Sequence, residues 1–311
     1  HKHAPYVLTK PFHASQKLIE KDNYGITISL DVQHNFELEK EILAIGDGIK
    51  VIAPTRLRRK IKDRLAGAID LYETEISDSG LITATKRLEY KGSAVLNYVY
   101  TKREVKKLKN VLDSHMADFK EKPIAIRSLL LKIPELRDIL FNKNLNQIIR
   151  TIDKDAFLSK AIYFDKPTQS NWYVTWHQDA TINVKDNITA EGFSGWTKKE
   201  NIHSVCPPLE IQQNTFTLRI HLDDTDEQNG ALQILAGSHK KRLNDSEIQL
   251  ITQNCIAQTV EIGAGGVHLM KPLLLHASSK TRNQKRRRVL HLEFSSTNLP
   301  ENMEWLEKEE I

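Results

Sequence analysis

Apolar residues over positions 25–32 (Gly-Ile-Thr-Ile-Ser-Leu-Asp-Val) alternate with polar ones, which predicts a strand. Over 37–45 they recur at helical intervals and stop at Gly46-Asp-Gly48; a short apolar run at 49–53 predicts a second strand. Pro54-Thr55 then introduces a long amphipathic pattern over 56–72, a helix, completing a small β-α-β-α unit. Between 75 and 92 the periodicity gives way to Ser, Asp, Thr and Lys before a new rhythm starts at Ala94-Val-Leu. The expected organisation is therefore a first domain at 1–76, a linker at 77–92 and a second domain at 93–311. In the second domain helical spacing spans 101–121 and 124–152, the latter interrupted at Pro134. From Phe157 the pattern changes to short apolar runs at 161–164, 172–176, 215–222, 231–235, 258–262, 267–269 and 289–294, separated by Gly, Pro, Asn and Asp. These predict a β-sandwich or barrel packed by the preceding helices, and no internal repeat recurs at a fixed period.

Composition narrows the classes without choosing a function. With 311 residues, 40% hydrophobic and 27% charged, the chain can bury a sizeable core and is neither collagenous nor broadly disordered. Two distant cysteines, Cys206 and Cys255, suggest neither a disulfide framework nor a thiolate zinc site. Runs such as Leu273-Leu274-Leu275 fall far short of the ~20 apolar residues of a membrane span, so a cytoplasmic protein without a membrane partner is expected. The net charge of +5 hides three basic runs, around Arg56–Lys62, Lys102–Lys109 and Lys285–Arg288. The first two carry apolar residues at helical spacing and read as solvated helix faces rather than a nucleic-acid surface. In the third, strand alternation would send Arg287 to one face and Arg286 and Arg288 to the other. Basic side chains of this kind suit a small-molecule partner that is anionic.

A ferrous oxygenase needs two histidines and a carboxylate on one face of the iron. His177-Gln-Asp179 offers an imidazole and a carboxylate two residues apart, which in a strand share a face. Twelve histidines and 40 acidic residues in 311 give about 1.5 accidental matches to that spacing, and the chain has three: His177-Asp179, His221-Asp223 and His291-Glu293. Spacing does not choose among them.

The part of the chain from about 90 to 295 resembles the phytanoyl-CoA dioxygenase family of iron(II)- and 2-oxoglutarate-dependent oxygenases. The resemblance is carried by the stretch 124–141, by Phe164-Asp-Lys-Pro167 and by Asn171-Trp-Tyr-Val-Thr-Trp176-His177-Gln-Asp179. It continues through Leu218-Arg-Ile-His-Leu-Asp-Asp224, Asn229-Gly230, Gly237-Ser-His239, Leu275-His276-Ala-Ser278 and Arg287-Arg-Val-Leu-His-Leu-Glu-Phe294. It implies a double-stranded β-helix (jelly-roll, cupin-like) core, mainly β with flanking helices and preceded by the small α/β domain. It further implies Fe(II) held by His177, Asp179 and His276, with Arg287 gripping the distal carboxylate of 2-oxoglutarate and Ser278 assisting. Arg219 falls on a strand position that faces the co-substrate in relatives, and Trp172 and Trp176 flank the metal motif as pocket walls. The implied activity is hydroxylation of a small molecule by O2, with succinate and carbon dioxide released. Halogenating relatives replace the carboxylate ligand with a small residue, whereas Asp179 is kept here.

The first 75 or so residues resemble the C-terminal extension of WYL-domain transcriptional regulators, through Phe12-His13-Ala-Ser-Gln16 and the helix, Gly-Asp-Gly turn and strand up to Ala53-Pro54. That implies a ligand-sensing or oligomerisation appendage. The alternative function is then a ligand-sensing regulatory protein in which this unit works and the oxygenase half is a sensor or scaffold.

Overall fold

The computed structural model describes residues 4–22, 25–72, 76–117, 119, 123–166, 173–283 and 285–311. The chain divides into two compact units, His1–Thr74 and Glu75–Ile311.

In the first unit a hairpin pairs Lys17–Lys21 with Ile26–Ser29, and helices are formed by Phe36–Ala44 and Thr55–Tyr72. Asn35 caps the first of these helices by accepting the Leu38 N–H, one of the donors that a helix start leaves unpaired. Ile42, Leu57 and Ile61 form a small core joined by Ile49 and Val51. The run 49–53 is not a strand; Ile49 and Val51 serve the core from an irregular segment, and Ile52 is exposed. Within the basic run, Lys60 pairs with the buried Glu39 at 2.6 Å, alongside Arg64 at 3.0 Å, so part of that run is structural.

The stretch expected to be linker is a helix of the second unit. Asp78–Lys91 starts at Ser77, whose hydroxyl accepts the Gly80 N–H, and ends at Gly92 in a left-handed conformation. A side chain at Gly92 would be strained, and its Cβ would lie 2.5 Å from His239 Nδ1. Leu81, Ala84 and Leu88 sit three and four apart and are buried in the main core, which is why this polar-looking segment folds with the second unit. The expected helix over 124–152 is likewise divided. A strand, Ala125–Arg127, precedes short helical turns at Leu129–Lys132, Pro134–Leu136 and Arg137–Leu140, and a longer helix at Lys143–Ile152.

The larger sheet runs, neighbour to neighbour, Glu309–Glu310, Phe157–Lys166, Arg287–Ser295, Thr215–His221, Val267–Met270 and Ser93–Leu96, with Ala125–Arg127 also on Phe157–Lys166. A smaller sheet runs Gln258–Val260, Leu232–Ile234, His276–Ser278 and Val174–His177, and a third joins Ile182–Val184, Ile202–Cys206 and Ser194–Lys199. Alternate residues of the larger sheet divide sharply. Leu218, Ile220, Leu290, Leu292, Ala161 and Tyr163 bury one face against the helices, with Leu108, Leu112, Leu145 and Ile148 in the same core. Each such fully buried leucine or isoleucine contributes about 1.5–3 kcal/mol. The other face meets the smaller sheet, as Met270 packs with Leu232, Ile234, Val260 and Leu274. Two antiparallel sheets face to face, flanked by helices, make the jelly-roll core. Among the described residues no helix is long and apolar enough to cross a membrane.

Candidate active site

His177 closes one strand of the smaller sheet, His276 opens the adjacent one, and the two are register partners with ring centroids 4.2 Å apart. Each Nδ1 lies 2.8 Å from a main-chain carbonyl two residues earlier, Thr175 O for His177 and Leu274 O for His276. A carbonyl only accepts, so both Nδ1 atoms carry the proton and both Nε2 lone pairs are left for a ligand. Asp179 is set beside them by its own N–H, which donates to Pro272 O at 2.9 Å. Its two carboxylate oxygens lie 3.7 Å from His177 Nε2 and 3.7 Å from His276 Nε2, and the three donor atoms fall within 4.8 Å of one another. Metal bonds of about 2.0–2.2 Å span such gaps, and two nitrogens with one carboxylate on one side form the donor set of a non-heme iron site. Burial would raise the Asp179 carboxyl, but His276, His291, His177 and Lys160 outweigh it and hold the group at about 2. Burial pushes His276 down to about 4 despite Asp179, so its ring is neutral at pH 7 and ready to ligate.

Gln178, which the spacing of the metal motif does not single out, ties this turn down. Its Nε2 donates to Leu273 O at 2.6 Å and Lys241 O at 3.0 Å, and its Oε1 accepts the Leu243 N–H at 2.8 Å. Its place between two ligands, facing away from them, is the only signal of this role in the sequence.

Arg287 is buried at the start of its strand and donates through Nη1 to Gly230 O. Burial, then neighbouring Arg219, lowers it to about 10, which leaves it charged. Gly230 has φ 81°, and a Cβ there would come 3.0 Å from Ser279 O and 3.1 Å from Lys166 Nζ, so this approach admits only glycine. Arg286 and Arg288 turn to the other face. Arg286 pairs with Asp165 at 2.5 Å, Arg288 with Asp223 at 2.8 Å, and both reach Asp113. Ser278 is buried two residues after His276 on the same strand. Arg219 is buried on the inner face of the larger sheet, its Nη1 2.9 Å from His291 Nδ1.

Among the described residues, His177 and Asp179 are the one His-x-acid pair of the three that converges with a third candidate ligand. His221 bonds Thr225 Oγ1 at 2.8 Å, while Asp223 goes to Arg288 and Lys109. His291 and Glu293 bond each other at 3.0 Å, and Lys160 joins Glu293 at 2.9 Å. His239 packs beneath the Asp78–Lys91 helix, Nε2 3.1 Å from Glu89 O. Trp176 is half-buried next to His177 and joins none of the hydrophobic clusters among the described residues. Trp172 lies outside the described residues.

A family model described as phytanoyl-CoA dioxygenase matches residues 88–289, and one described as the WCX domain matches residues 1–69, the stretch that resembles a WYL C-terminal extension. Several solved structures share the larger unit's fold. EctD from S. alaskensis with 2-oxoglutarate and 5-hydroxyectoine is 15% identical, with 71% of this chain and 76% of that chain covered and a TM-score of 0.54. AviO1 from Streptomyces viridochromogenes is 18% identical, with 72% of this chain and 99% of that chain covered and a TM-score of 0.54. SnoK, a non-heme alpha ketoglutarate dependent carbocyclase from nogalamycin biosynthesis, is 13% identical over 71% of this chain and 84% of that chain, with a TM-score of 0.53. No curated protein sequence matches the chain.

Proposed function

The chain belongs to the phytanoyl-CoA dioxygenase family, and on that premise we propose that it is an Fe(II)- and 2-oxoglutarate-dependent dioxygenase that hydroxylates a small molecule. The observation that carries this reading is the convergence of two Nε2 lone pairs and the ionised Asp179 within 4.8 Å; Arg287 is a separate buried cation. Bound there, iron supplies the activation of dioxygen, with 2-oxoglutarate converted to succinate and carbon dioxide. His177 and His276 hold their tautomers through Thr175 O and Leu274 O, so neither ring must reorganise to ligate. Arg287 receives the distal carboxylate of 2-oxoglutarate, where a guanidinium can give two parallel hydrogen bonds, and the Ser278 hydroxyl assists. Arg219 lies on the inner face of the larger sheet, and Trp176 walls the approach to His177. Asp179 would supply the carboxylate ligand that a halide would have to replace, so a halogenated product is not expected. An inert scaffold would not need the ligand-ready triad.

The test is to incubate the iron-loaded protein with 2-oxoglutarate, labelled dioxygen and a small-molecule extract. A product that gains one labelled oxygen, formed together with succinate, is expected. Succinate without an oxygenated product would reject hydroxylation, and no succinate at all would reject the class.

A further inference from the structure

The inner face of the larger sheet carries charge in an ordered row. Lys160, on its own strand, pairs with Glu293 at 2.9 Å and also donates to Thr181 O at 3.0 Å. Glu293 only accepts, so His291 donates to it through Nε2, which leaves His291 Nδ1 as the acceptor for Arg219 Nη1 at 2.9 Å. The Arg219 guanidinium also lies over the Phe164 ring, 5.9 Å from its centroid. One side of this buried cation is thus fixed by its neighbours, while its Nε is buried with no hydrogen-bond partner. On the same face of the same strand, Thr217 Oγ1 two residues earlier and His221 Nε2 two residues later are buried and unpartnered as well. Buried polar atoms without partners are rare because each forfeits its hydration, and three in a row at alternate strand positions describe a surface shaped for a polar ligand.

Charge says which ligand. Among the described residues neither Arg219 nor Arg287 forms an ion pair with a carboxylate, although burial of an unpaired guanidinium is costly. Under the function proposed above, iron brings two positive charges, Asp179 one negative charge and 2-oxoglutarate two. Lys160 and Glu293 cancel, and His221 and His268 are held neutral by burial. Even leaving Lys166 aside, the two guanidiniums then exceed the anions by one. With the distal carboxylate on Arg287, the surplus cation is Arg219, one side of which is taken by His291 while its Nε is left without a partner.

We propose that the substrate carries an anionic oxygen group, a carboxylate or phosphate, received by the free Nε edge of Arg219. This rests on the function proposed above and goes further than the resemblance, which aims Arg219 at 2-oxoglutarate. Acetate is the probe, with acetamide as its neutral counterpart. The full chain is loaded with Mn(II) and saturating 2-oxoglutarate, and the paramagnetic relaxation of the probe's methyl protons is measured. Saturable relaxation with acetate and none with acetamide is expected, weakened at least tenfold in Arg219→Gln and less in Arg219→Lys, which keeps the charge without the fork. Thermal melting and Mn(II) binding of each variant establish that it is folded. Equal relaxation by both probes, no saturable acetate effect, or an effect unchanged in the variants would overturn the proposal. Calorimetric titration of 2-oxoglutarate separates the two layers. Arg287→Gln should weaken it at least tenfold and Arg219→Gln less than about threefold. Equal losses would return Arg219 to the co-substrate and overturn the proposal, whereas a wild-type protein that does not bind 2-oxoglutarate would overturn the underlying function itself.

Discussion

His276 stands opposite His177 across an antiparallel pair of strands, so the separation of the two rings is set by backbone register. A slip of one residue would turn either side chain to the other face. His276→Ala should therefore remove metal binding while the sheet survives. Supporting partners of metal ligands are worth about ten- to a hundredfold in affinity, and loss of a ligand should exceed that in an Mn(II) titration. Retention of wild-type affinity would reject His276 as a ligand.

The three consecutive arginines should separate cleanly. Arg287→Lys keeps the charge but loses the fork, and a charge-assisted bidentate contact is worth about 1.5–3 kcal/mol, or roughly ten- to a hundredfold in 2-oxoglutarate affinity. Arg288→Lys breaks the two-pronged grip on Asp223, at 2.8 and 2.9 Å, on the opposite face. It should lower the melting temperature and leave 2-oxoglutarate affinity unchanged. Equal loss of affinity in both variants would mean a diffuse basic patch.

The convergence of His177, Asp179 and His276 was legible because ordered blocks flank each of them, and the separation of Arg287 from Arg286 and Arg288 because strand alternation isolates it. The row from Lys160 through Glu293 and His291 to Arg219 was not legible as a buried polar network. Polar residues at every second position look the same whether that face meets water or a second sheet, and only the packing of Met270 against Leu232 and Ile234 shows that it is covered. The strand Lys17–Lys21 leaves no periodic signal in the sequence, because all five residues are exposed. The Asp78–Lys91 helix was hidden by its polar composition, although Leu81, Ala84 and Leu88 already held helical spacing.

That helix fixes where the second unit can be cut. A chain of residues 75–311 should fold and bind Mn(II) as the full chain does. One beginning at 89 loses Leu81 and Leu88, which are 2% and 0% exposed, along with Ala84. At about 1.5–3 kcal/mol for each buried leucine, that is a large part of a typical domain's stability of about 5–15 kcal/mol. The shorter chain should be insoluble or melt far lower; equal melting of the two would show that the helix is dispensable.

Glu307 should make stability depend on pH. It is buried beside the strand Phe157–Lys166, and its one backbone donor, the Ala161 N–H, is 3.4 Å away. Burial is the dominant influence and raises its carboxyl from 4.5 to about 7, against the pull of that N–H and of Lys160. A carboxyl raised in the folded state binds its proton more tightly there than in the unfolded chain. Its contribution is complete below pH 4.5, shrinks as the unfolded chain ionises, and is lost once pH passes about 7. At 1.36 kcal/mol per pH unit the span corresponds to roughly 3 kcal/mol. Glu307→Gln keeps the shape and cannot ionise, so the urea midpoint of the wild type should fall relative to that of the variant between pH 5 and pH 8. Parallel midpoints across this range would show that the carboxyl is ionised throughout and compensated in the fold.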